Sequence, residues 1–174
     1  KTTELMDIAF ENNTMSYAFM PVAKQKELSD LYLTKCSRPL IGLIPDITHD
    51  QIRRGIEKYG CNISYTNIKQ DYDVELIDVA LKTYGRALRY LEEKDKTYER
   101  CLTAVSQDGT CISYVPRTLI DLNLCRHAVI QNGLCINYII PFIPEHLRDE
   151  YYTLAVTNNP ISLQYVPDDC ITEN

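Results

Sequence analysis

Cysteine and histidine are the residues of this chain best suited to nucleophilic or metal chemistry, and their spacing argues against both. The seven cysteines are Cys36, Cys61, Cys101, Cys111, Cys125, Cys135 and Cys170. No C-x2-C pair of the kind that builds a structural zinc site is present. The closest are ten residues apart, Cys101 to Cys111 and again Cys125 to Cys135. Of the three histidines, His49, His127 and His146, only His127 stands near a cysteine, two residues after Cys125. On a helix that spacing points the two side chains to different faces, so they form no local nucleophile–base pair. Asp71, Asp73, Glu75 and Asp78 open like a calcium loop but lack the glycine at loop position six and the acid at position twelve. They read as a solvated helix start. Gly60, Gly85, Gly109 and Gly133 stand singly, without the clustering of a phosphate-binding loop. The sequence therefore assigns no catalytic, cofactor-binding or metal residue, and no cofactor.

The charge balance narrows the partners. Among 174 residues, 18 Lys and Arg face 24 Asp and Glu, for a net charge of −6. Such a chain has no general attraction for a phosphate backbone, which usually dominates nucleic-acid affinity. No apolar run approaches the ~20 residues of a membrane span. Unpaired cysteines of this kind fit a reducing compartment, so a cytoplasmic location is expected.

The elements that hold these residues come in repeats. Cys101–Tyr114 (CLTAVSQDGTCISY) and Cys125–Tyr138 (CRHAVIQNGLCINY) align without gaps and agree at eight of fourteen positions. The same frame extends to Ile77–Tyr90 and Tyr152–Tyr165, and more weakly to Glu4–Tyr17, Leu31–Ile44 and Ile52–Tyr65. Seven repeats then end at Tyr17, Ile44, Tyr65, Tyr90, Tyr114, Tyr138 and Tyr165, at spacings of 27, 21, 25, 24, 24 and 27 residues. Cysteine parity thus carries no meaning, because the cysteines occupy repeat columns.

Each column has a physical reading. Asn12, Pro39, Gly60, Gly85, Gly109, Gly133 and Pro160 precede the terminal position by five and are residues that end helices, by turning left-handed or by refusing to continue. Upstream, Ala80, Ala104, Ala128 and Ala155 keep a helix face small, so that a neighbouring helix can approach. After the turn, a short helix, partly 3₁₀, closes before a proline. The fold class predicted is all-α: an α-solenoid of about seven helix–turn–helix repeats of ~24 residues, forming one domain over 1–174. The tyrosine column predicts either half-buried rings with hydroxyls on backbone, or a row of binding contacts. The chain begins at Lys1 and ends at Asn174 without a polar capping helix, the expectation for a segment of a longer protein.

The strings AVIQNGLCINYI, AVSQDGTCISYVP and AVTNNPISLQYVP resemble a helical repeat family of unknown function, found in proteins of giant amoebal viruses and intracellular bacteria. The resemblance is close from Ile77 to about Ile171 and looser before it; the second repeat loses both the alanine and the tyrosine. It implies a scaffold rather than a reaction, in a viral or pathogen protein acting inside a host cell.

Function is therefore expected in a non-enzymatic scaffold that binds another protein. Two surfaces are candidates. The first is basic: Arg53, Arg54 and Lys58, with Arg86 and Arg89 in the next repeat, suited to an acidic peptide or phosphate. The same stripe defines the alternative of nucleic-acid binding. The second is the stiff apolar segment Ile139–Pro144, where Phe142 and Ile143 either project toward a partner or fill the gap before the last repeat. A third reading makes the chain a regulatory or targeting arm of a longer enzyme.

Overall fold

The computed structural model describes residues 2–65 and 74–170; the first two aspartates of the calcium-like cluster, Asp71 and Asp73, fall outside them. Every element among the described residues is helical. The chain divides into two compact units, Lys1–Thr83 and Tyr84–Asn174.

The second unit contains α-helices α5 (Tyr98–Gln107), α6 (Leu122–Gln131), α7 (Ile136–Ile139) and α8 (Arg148–Asn158), interleaved with 3₁₀ segments. Helices α5 and α6 start where the sequence supplies a cap. Thr97 accepts a hydrogen bond from the Arg100 N–H, and Asp121 accepts one from Leu124 at 2.8 Å. Cys101, Ala104 and Val105 on α5, and Cys125, Ala128 and Val129 on α6, form the buried faces. Each helix then stops at one extended residue: Asp108 (φ −145°, ψ 107°), Asn132 (−150°, 107°) and Asn159 (−143°, 106°). The same side chain starts the next element, accepting from the N–H two residues on (Thr110, Leu134 and Ile161, 3.0–3.1 Å). A 3₁₀ segment follows, Gly109–Tyr114 or Pro160–Tyr165, ending before Val115-Pro116 and Val166-Pro167.

The glycine column has a different cause from the one expected. No glycine has a positive φ. A Cβ at Gly85 would lie 2.5 Å from the Ala104 carbonyl oxygen, at Gly109 2.5 Å from that of Ala128, and at Gly133 2.2 Å from that of Ala155. The turn of each repeat thus rests on the next helix's backbone at the alanine column, and the two small columns are one contact. Before Gly109 and Gly133 the turn is made by Asp108 and Asn132, whereas Tyr84 before Gly85 makes no side-chain cap.

The first unit contains α1 (Thr2–Asn12), α2 (Val22–Lys35), α3 (His49–Lys58) and α4 (Val74–Leu81). Helix α3 opens on a complete capping box between Thr48 and Gln51. Aromatic residues dominate the core around α1 and α2. Phe10, Tyr17 and Tyr32 are fully buried, and the two tyrosines stack at 4.2 Å. Their hydroxyls are satisfied: Tyr17 donates to the Gln25 carbonyl (2.7 Å), and Tyr32 accepts from the Leu40 N–H (3.0 Å).

Two repeat ends shift. The first 3₁₀ segment runs Thr14–Phe19, capped by Asn13, so Phe19 rather than Tyr17 holds the terminal column. The second runs Ile41–Leu43, so Leu43 replaces Ile44. The first two intervals become 24 and 22 residues instead of 27 and 21. Tyr17 shares only its residue type with the terminal column; it sits where Ile112 does, inside the core.

Candidate interaction surface

Side chains that looked available for a partner are largely engaged with neighbouring repeats. Arg54 pairs with Asp30 on α2 and with Asp50 at 2.9 Å. Lys58 donates to the Leu33 and Thr34 carbonyls at the end of α2. Arg53 turns the other way, to Glu75 on α4 at 3.4 Å. The three cations on α3 are therefore divided between two neighbours. In the second unit Arg86 bonds Asp108 at 2.9 Å, and the Arg89 guanidinium lies 4.9 Å from the centre of the Tyr90 ring. Apart from Arg54–Asp50 and Arg89–Tyr90, these pairs join residues 22 to 25 apart, the repeat length.

Lys58 also reveals a column that the sequence concealed. Three residues after the small residue of each helix stand Lys58, Gln131 and Asn158. Gln131 donates to the carbonyls of Ser106 and Gln107, and Asn158 to that of Ile130. Each caps the preceding α-helix, whose last carbonyls have no partner within the helix. Residue identity varies too much for alignment; only the capacity to donate is shared.

The apolar segment 139–144 is also resolved. Ile143 is 2% exposed, so its side chain packs inside and is withdrawn as a contact residue. Ile139, four residues earlier, is buried beside the same core. Phe142 is half-buried, its ring tilted on Tyr138 at 6.2 Å.

Thiol chemistry is suppressed by the packing. Cys36, Cys101, Cys111, Cys125 and Cys135 are buried, Cys61 is partly covered and Cys170 is exposed; all are free thiols. Burial pushes Cys101, Cys125 and Cys135 up to about 11 and Cys111 up to about 12, so they are protonated at neutral pH and poor nucleophiles. Among the described residues no three His, Cys, Asp or Glu side chains cluster as a metal site would need. Ser106 Oγ and His127 Nδ1, 3.4 Å apart on α5 and α6, form a nucleophile–base pairing that sequence spacing did not suggest. Its length and exposure make it a surface contact. No helix among the described residues is long and apolar enough to cross a membrane.

No known protein family, characterised protein or solved structure matches this chain.

Large apolar side chains are also exposed. Phe19 is 90% exposed, and Leu5 (64%), Val22 (58%) and Met15 (46%) are also exposed in the same unit. Leu5 and Phe19 share the rim of a groove of about 260 Å³ with Thr2, Met6, Ala9 and Ser16. In the second unit Ile161, Leu163 and Tyr165 are exposed on the last 3₁₀ segment. Leu163 occupies the column of Ile112 and Ile136, both fully buried. The terminal tyrosines are mixed: Tyr65, Tyr138 and Tyr165 are exposed, Tyr90 and Tyr114 half-covered.

Proposed function

We propose that this protein is a non-enzymatic α-solenoid scaffold whose repeats continue through the chain, and that it binds another protein through apolar surface on its 3₁₀ segments. The observation that carries this reading is Phe19, a phenyl ring left 90% in water at the edge of an apolar groove. Covering such a ring is favourable by about 2 kcal/mol, and contiguous apolar surface of this kind marks interaction sites. The engaged arginines favour protein over nucleic acid, because a phosphate backbone would have to displace Asp30, Glu75 and Asp108 from them. The resemblance to repeats of amoebal viruses and intracellular bacteria adds a host cell as the setting.

Phe19→Asp tests the reading. Affinity purification from an amoebal host lysate, quantified by mass spectrometry, should show a defined partner retained by the wild type. The variant should lose at least tenfold of it while keeping its helical circular dichroism. Equal retention by both would remove the Phe19 surface from the function.

A further inference from the structure

Two successive junctions between 3₁₀ segments of the second unit are built alike but closed differently. At the first, Arg86, one residue after Gly85, reaches the next turn. Its Nε bonds Asp108 at 2.9 Å and its Nη2 donates to Thr110 Oγ1 at 3.4 Å. A long side chain of the protein itself thus lies across the seam. One repeat on, the same three places are held by Thr110, Asn132 and Leu134. Thr110 is too short to cross, and its hydroxyl turns back to donate to Asp108 at 2.6 Å. These three residues instead line an open groove of about 290 Å³, together with Ile112, Cys135 and Tyr138.

The lining says what fits. Ile112 and Cys135 are buried and form the floor, while the Tyr138 ring, 36% exposed, is braced on Phe142 at 6.2 Å. Asn132 Oδ1 accepts from the Leu134 N–H at 3.1 Å. Among the described residues its Nδ2 donates to nothing, and the Tyr138 hydroxyl has no partner, so the rim keeps open donors. A cation fits poorly here, because an amide stands where Asp108 receives Arg86. An anion fits poorly too. Burial first, and the Asp108 carboxylate second, raise the Cys135 thiol to about 11, so the field of Asp108 reaches the groove wall. An uncharged side chain with an apolar stem and an acceptor at its tip remains.

We propose that this groove takes a glutamine side chain from an uncharged, apolar segment of a partner protein. Its methylene stem lies on Ile112 and Leu134, and its carboxamide oxygen accepts from Asn132 Nδ2. The partner thereby closes a seam that Arg86 closes from within one repeat earlier. This rests on the protein-interaction reading and names the side chain that the partner supplies.

Amide NMR of the full chain tests it, with the peptide acetyl-Ala-Leu-Gln-Leu-Ala-amide as probe and versions carrying Glu, Arg or Met in place of Gln. The glutamine peptide should shift the Leu134 backbone and Asn132 side-chain signals. It should bind about fivefold tighter than the methionine peptide, the worth of one hydrogen bond, with both charged peptides weaker still. Asn132→Asp keeps the acceptor for the Leu134 N–H and supplies the missing carboxylate. That variant should bind the arginine peptide about tenfold tighter than the wild type does and lose its preference for glutamine. Thr110→Arg/Asn132→Asp copies the Arg86–Asp108 pair and should close the groove to all four peptides. Circular dichroism confirms that each variant is folded. Equal binding of the methionine and glutamine peptides, shifts that avoid the groove, or an unchanged order in Asn132→Asp overturns the proposal; so does binding that survives in the double variant. Failure here together with loss of the partner by Phe19→Asp would leave the scaffold function standing and remove only the glutamine site.

Discussion

The two units solve one packing problem with different chemistry. In the second, neighbouring repeats meet through backbone: Gly109 lies on the Ala128 carbonyl and Gly133 on that of Ala155. Thiols of modest volume, Cys101, Cys111, Cys125 and Cys135, fill what remains. In the first unit large side chains and a buried amide do the work. Tyr17 stacks on Tyr32, and Asn62 is fully buried at the place where Cys111 and Cys135 stand later. Its amide donates to the Pro39 and Gly55 carbonyls at 2.6 and 2.8 Å and accepts from the Ile41 N–H. Backbone contact tolerates only the smallest residues and so enforces a repeat. Side-chain contact can be met by many combinations and lets the repeat drift.

The largest expected effect breaks that contrast at a glycine. In Gly133→Ala the new methyl meets the Ala155 carbonyl oxygen at 2.2 Å and Ser162 Oγ at 2.9 Å, and the first of these is backbone that cannot turn aside. Destabilisation of about 3 kcal/mol is expected, as for overpacking of a tight interface. Gly42→Ala in the first unit meets the Tyr65 ring edge at 2.9 Å. That ring is 54% exposed and can swing outward, so the cost there is about 0.5 kcal/mol. Urea denaturation measures both; equal losses would mean that the backbone approach in the second unit is not the stricter constraint.

The same distinction decides what was legible beforehand. All-helical architecture and the proline stops followed from alanine, glycine and proline columns, because those residues answer to backbone geometry. The glycines were found for a partly wrong reason, since a turn and a close approach leave the same letter. Tyr17 was placed in the wrong column, because a buried tyrosine and a surface tyrosine also share a letter. The capping donors Lys58, Gln131 and Asn158 share a capacity rather than an identity, so no alignment exposes them. Arg53, Arg54, Lys58 and Arg86 were legible as surface cations, but their acidic and carbonyl partners lie a repeat away and emerge only with the fold. Phe19 was not legible as exposed apolar surface because the frame ended the first repeat at Tyr17.

Asn62 offers the next test. Asn62→Ala deletes an amide that bridges three backbone groups of the first unit and leaves the Pro39 and Gly55 carbonyls buried without it. A loss of about 2 kcal/mol is expected, the usual cost of stranding buried polar groups. Hydrogen exchange should locate it on α3 and the Ile41–Leu43 turn. Cys111→Ala, in the corresponding column of the second unit, removes only a sulfur from an apolar site and should cost about 1 kcal/mol. Protection factors that fall as far for Cys111→Ala would show that the amide is filling space rather than bridging.

The smallest effect separates the units by acid. Burial opposes ionisation of Asp108, but bonds from Thr110 and from Arg86 outweigh it and hold the carboxyl below its usual value. Asp30 is held low by Arg54 and then by Gln51. A carboxylate whose folded pKa is depressed stabilises the fold above its unfolded value of 3.8, and that contribution is lost as pH falls through the folded pKa. Both units should therefore weaken below about pH 4. The pairs are exposed enough that each is worth about 0.5 kcal/mol, and salt should screen them unequally. The Asp30 side chain is 68% exposed and its charged partner is a surface arginine, so 1 M NaCl should erase most of its share. Asp108 is 28% exposed and keeps two neutral donors on Thr110, which salt does not screen. Carboxylate pKa values from NMR titration at low and high salt should thus rise further for Asp30 than for Asp108. The reverse order would mean that the Asp108 carboxylate depends on Arg86 rather than on the turn it begins.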